Sequence, residues 1–68
     1  MYIVLEIQAS DTITTIINSY ADRNTAESRY HQILAAAAVS TIPHHSAVLM
    51  NEIGDPIKSD SYTHEVTA

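Results

Sequence analysis

Four histidines, three basic residues and four tyrosines are the side chains through which this sequence could do chemistry. His44, His45 and His64 are the candidates for a metal, because imidazole is the commonest protein ligand for one. Adjacent histidines point to opposite sides of an extended chain, however, and no H-x-x-x-H pair lies on a helix to fix two rings on one face. With no cysteine in the chain a thiolate zinc site is excluded. The histidines therefore read as loop polarity or as the lining of a polar pocket. Serine and threonine are plentiful, yet no nucleophile elbow G-x-S-x-G is present, and a single glycine cannot build a phosphate-cradling loop. Glu6 and Glu52 could approach each other on neighbouring strands, but exposed strand carboxylates are ordinarily just solvated. The expectation is a protein that is not an enzyme and that carries no metal or cofactor.

Binding suits these residues better. Arg23 and Arg29 flank a helix start, where the macrodipole is positive, and guanidinium forks hold phosphate bidentately. Tyr20, Tyr30 and Tyr62 are flat and polar at the tip, suited to stacking on a base, although Tyr30 also fits a core position and Arg29 a solvated one. Together with Asn24 at the helix start and His44 and His45 in a following loop, the candidate ligand-binding residues are Tyr20, Arg23, Asn24, Arg29, His44, His45 and Tyr62. A cleft in so small a chain would be shallow, so the expected site lies between subunits.

The elements that must carry these residues follow from the apolar pattern. Ile3, Leu5 and Ile7 alternate with Tyr2, Val4, Glu6 and Gln8, which predicts a strand with the isoleucine side buried. Ala9-Ser10-Asp11 makes a turn, and the β-branched run within Thr12 to Ala21 predicts a second strand, with Ile13 and Ile17 on one face and Ile16 and Tyr20 on the other. Asn24 and Glu27 have the spacing of a capping box, which predicts a helix from about Thr25 to about Val39. Its stripe of Ala26, Tyr30, Ile33, Leu34 and Ala37 faces the sheet, while Arg23, Glu27 and His31 form a polar face. Pro43 ends it, leaving His44 and His45 in a loop. Ser46 to Glu52 predicts a third strand, Gly54 a hairpin turn, and Ile57 to about His64 a more polar edge strand, followed by a tail free to fray from Glu65.

The 68 residues thus form a single α+β domain of order ββαββ: a four-stranded antiparallel sheet with one helix on one face. One helix leaves the other face bare, with Val4, Ile16, Val48 and Met50 as candidates for an exposed apolar patch. A chain this short buries only about 60% of the surface of its unfolded form and needs a supplement. With disulfides excluded, self-association into a homo-oligomer is the expected one. The net charge of −5 argues against a nucleic acid polymer as partner and leaves room for one small anion. The apolar start carries Glu6 and stops far short of a membrane span, so no membrane partner is expected.

The segments Tyr2 to Gln8, Asn18 to His31, and Ala35 to Ser40 with Pro43-His44-His45 resemble a family of short, uncharacterised proteins of phages and prophages of gut Firmicutes. The resemblance covers nearly the whole chain, and its most specific part is Tyr-x-Asp-Arg-Asn-x-Ala-Glu-Ser at Tyr20 to Ser28. It implies a viral origin and action in the cytoplasm of a bacterial host, and it supplies no site residues. Small phage proteins of this kind are often inhibitors of host defence. The expected function is a homo-oligomeric sponge that sequesters a nucleotide immune signal, an ADP-ribose derivative or a cyclic nucleotide, without cleaving it. The alternative is an acidic protein that blocks a host defence nuclease or effector by contact.

Overall fold

Strand β1 (Tyr2–Ala9), strand β2 (Ile13–Tyr20), helix α1 (Arg23–Ala38), strand β3 (His44–Asn51) and strand β4 (Pro56–Thr63) follow one another in a computed structural model that describes residues 1–64. The tail from Glu65 lies outside the described residues. The strands form one antiparallel sheet in the order β2-β1-β3-β4, with α1 packed on one face, which is the expected ββαββ architecture.

Two local assignments differ from the pattern in the sequence. The helix begins at Arg23, and its cap is Asp22 and not Asn24: the Asp22 carboxylate accepts from the Thr25 amide at 2.9 Å and from the Thr25 hydroxyl at 3.0 Å. A carboxylate at this position both satisfies a free amide and complements the positive end of the helix, which a neutral asparagine does only in part. Asp22→Ala should therefore lower stability by about 1 kcal/mol, read as a thermal melt shifted down by roughly 4–8 °C. The second difference is that His44 and His45 belong to β3 and not to a loop. The helix ends at Ala38, ahead of Pro43, and the Pro43 carbonyl accepts from the His64 amide at 2.7 Å, so pairing between β3 and β4 reaches back over both histidines.

At the other end of that hairpin Gly54 takes φ +88°, the left-handed conformation that its place in the sequence predicts. The Asn51 side-chain oxygen accepts from the amides of Ile53 and Asp55 and organises the turn.

The register assigns the faces. Val4 and Glu6 of β1 and His45, Ala47 and Leu49 of β3 lie beneath the helix, all of them buried, against Ala26, Tyr30, Ile33 and Ala37. Ile3, Leu5 and Ile7 share the open face with Ile17, Val48 and Met50. The buried side of β1 is thus the reverse of the one its alternation predicts, and Val4 and Ile16 belong to the helix side. The helix joins β2 to β3, which run parallel across β1, and such crossovers strongly prefer one hand. Topology, not the tally of apolar residues in β1, decides which face the helix takes. The alanines at positions 26, 37 and 47, all fully buried, let the helix lie close on that face.

Candidate functional site

Under the helix, four polar side chains meet in an otherwise apolar layer. Glu6 projects from the middle of β1 and is 7% exposed; its Oε2 lies 2.7 Å from His45 Nε2 and accepts from Gln8 Nε2 at 2.9 Å. Its other oxygen, Oε1, is 3.6 Å from an Arg29 guanidinium nitrogen reaching down from α1. An ionised carboxylate only accepts, so His45 Nε2 carries the proton in this contact. The remaining ring nitrogen, Nδ1, is buried without a hydrogen-bond partner, a local cost of about 1–3 kcal/mol. Tyr62 lies opposite His45 in the β3–β4 register, half-exposed at the sheet edge, its ring parallel to that of His64 at a centroid distance of 6.5 Å.

The electrostatics of Glu6 has opposing parts. Burial pushes its carboxyl up, but the hydrogen bonds from Gln8 and His45 and the charges of His45 and Arg29 outweigh this and hold it below the ordinary value of 4.5. A carboxyl lowered by folding binds its proton more readily in the unfolded chain, so its stabilisation is present above that value and is lost as the pH falls through the folded one. The melting temperature should accordingly begin to drop below about pH 4.5, and Glu6→Gln should remove that part of the pH dependence in an acid titration followed by circular dichroism.

Glu27 is lowered for a different reason, the Lys58 ammonium that donates to its Oε1 at 2.7 Å, with Arg23 4.0 Å away in the i, i+4 relation. Burial pushes the Tyr30 phenol up, and the charge of Asp60 adds to the effect.

The residues expected to bind a ligand do not form one group. Arg29 and His45 meet at Glu6, and Tyr62 stands beside them. Tyr20 closes β2 opposite Tyr2 at the far end of the sheet, partly buried against the core, with Arg23 and Asn24 exposed on the first turn of α1 nearby. His44 is on the open face, its Nδ1 3.5 Å from the Thr63 hydroxyl. His64 donates from Nε2 to the Ala37 carbonyl at 2.8 Å, a second donor to an oxygen that also accepts from the Ser40 amide at 3.2 Å as the helix ends. Among the described residues no three histidine or carboxylate side chains come together in a way that could hold a metal ion.

Two members of the buried group, Glu6 and Gln8, are missing from the residues that sequence reasoning selects. A signal for Glu6 existed. A lone carboxylate inside Ile-Val-Leu-Glu-Ile must be solvated or paired, and the chain has just three lysine or arginine side chains and four histidines to pair it with. Glu52, which adjacent strands could have brought near it, lies beyond β3 instead, 4.0 Å from the amino group of Met1. Comparison with protein-family models, with curated proteins and with solved structures finds no match to the chain. No helix among the described residues is long and apolar enough to cross a membrane.

Proposed function

We propose that the protein is a phage-type inhibitor of bacterial defence that acts by contact, an acidic homo-oligomer that binds a basic surface of a host nuclease or effector in the host cytoplasm. The observation that carries this reading is the disposition of charge. Each basic side chain faces a carboxylate of its own chain: Arg23 and Lys58 with Glu27, and Arg29 with Glu6. The acids left without a basic side chain among the described residues include Asp22, Glu52 and Asp55, and these line one end of the sheet in the β2–α1 and β3–β4 connections. A phosphate-bearing ligand would meet excess negative charge there, whereas a basic protein surface would be steered to it. The one buried acid–base pair among the described residues, Glu6 with His45, is closed off beneath α1 and serves packing better than catalysis.

The test is inhibition of a purified defence effector. Glu52→Lys combined with Asp55→Lys, both exposed turn positions, should abolish inhibition, and raised salt should weaken it. Full inhibition by the charge-reversed chain would sink the contact reading.

Sequestration of a nucleotide signal remains as a second reading because Arg23 and Lys58 converge on Glu27 beside the first two turns of α1, where a phosphate group could replace that carboxylate. A ligand adduct in native mass spectrometry, released unchanged on denaturation, would decide for it.

A further inference from the structure

Strand β2 is the least covered element of the molecule. It lies at the edge of the sheet, α1 sits chiefly over β3 and β1, and every residue of the strand except Tyr20 is exposed. Ile13, Ile16 and Ile17 are 75, 39 and 65% exposed, while Ile3, Leu5, Ile7, Val48 and Met50 on the open face are all partly sheltered by their neighbours. Met1, Val39, Ile53 and Tyr62 are also exposed but lie scattered, whereas β2 gathers three exposed isoleucines on one strand whose outer row of backbone amides and carbonyls has no partner among the described residues.

The two edges of the sheet differ in a way that bears on what covers β2. Edge strand β4 carries Pro56, Lys58 and Asp60, and its pairing is broken by a register irregularity at Leu49/Met50. These are the devices by which an edge resists adding another strand. Edge strand β2, Ile-Thr-Thr-Ile-Ile-Asn-Ser-Tyr, has no charge, no proline and an unbroken register with β1. Its β-branched content is high, as favours an added strand. Absence of charge also selects the partner. Close to a twofold axis a residue meets its own copy, so a charge there would face a like charge, and in a chain of net charge −5 the strand β2 contains no charge to do so.

We infer that β2 is a docking strand for β2 of a second copy of this chain, the two pairing antiparallel about a twofold axis normal to the sheet. This rests on the homo-oligomeric part of the proposed function and names the surface through which it is realised. Full-length pairing of two eight-residue strands forms about eight new backbone hydrogen bonds. It brings β-branched side chains into cross-strand contact and leaves both copies of α1 on one side of a continuous eight-stranded sheet.

The test uses the full chain, with light scattering after gel filtration over a range of concentrations. The expected mass is twice that of the 7.5 kDa chain. Thr15→Lys and Asn18→Lys, at exposed β2 positions on opposite faces, should each reduce it to a single chain with an unchanged circular dichroism spectrum. Val48→Lys, at the centre of the open face, should leave the double mass intact, and Ser46→Lys replaces it should that variant not fold. Amide exchange across β2 should slow with rising concentration in the wild type and not in Asn18→Lys. A monomeric wild type overturns the inference, and so does a dimer that survives both β2 substitutions or dissociates with Val48→Lys, which would put the contact on the open face. Inhibition by a monomeric wild-type chain would overturn the β2 dimer while leaving the contact mechanism standing.

Discussion

Glu6→Ala should be among the most damaging single substitutions in this chain, lowering stability by about 3 kcal/mol and the melting temperature by roughly 15 °C. The loss has two sources. Removing the carboxylate leaves His45, 3% exposed, with both ring nitrogens unpaired under the helix, and it strips Gln8 of its acceptor. Arg29 softens the effect, because its half-exposed side chain can turn back into water once its partner is gone. That places the expected cost at the lower end of the range for a broken buried pair. His45→Leu should cost less than Glu6→Ala. It removes the unpaired Nδ1 together with the ring, and Glu6 keeps Gln8 and Arg29. The double variant Glu6→Leu/His45→Leu should recover most of the stability, as apolar replacement of a whole buried pair commonly does. With the single variant Glu6→Leu added, chemical denaturation of wild type, the two leucine singles and the double gives the coupling directly. If Glu6→Ala falls within about 0.5 kcal/mol of wild type, as a surface substitution does, the cluster has no structural role.

The elements of this fold are legible in the sequence because each carries a local signal. Alternation marks β1, β-branched residues mark β2, the spacing of Ala26, Tyr30, Ile33 and Ala37 marks the buried stripe of α1, and Gly54 marks the hairpin. The facing of β1 is not local. Apolar counting puts Ile3, Leu5 and Ile7 inside, and the connection from β2 to β3 through α1 puts Val4 and Glu6 there instead. The same reversal hides the polar cluster, since a residue assigned to solvent needs no partner and Glu6 becomes conspicuous only once it is buried. Arg29 and His45 could be chosen from the sequence by type alone, but their meeting at a carboxylate on β1 depends on contacts spanning 23 and 39 residues of chain. The weakness of β2 as an edge is readable from its composition, yet becomes informative only beside β4, whose proline and charges show what a protected edge of this sheet contains.

The reversed facing of β1 and the matching faces of β3 can be measured with a pair of leucines. Leu49 is fully buried beneath the helix, one of the two largest side chains enclosed to that degree. Leu49→Ala should open a cavity against Tyr30 and Ile33 and cost about 3 kcal/mol. Leu5 sits on the open face between Ile17 and Val48, so Leu5→Ala shortens a partly sheltered side chain and leaves no enclosed void. Its expected cost is about 1 kcal/mol, the transfer contribution of the methylenes removed and little more. The alternation in β1 read alone predicts the reverse order, with Leu5 as a core residue. Comparable losses at the two positions would mean that the open face is packed against something as closely as the helix side is, and Leu5→Ala would then lower the oligomeric mass as well as the melting temperature. A β2-to-β2 dimer leaves that face uncovered, so the inequality between the two leucines should hold at every protein concentration at which both are measured.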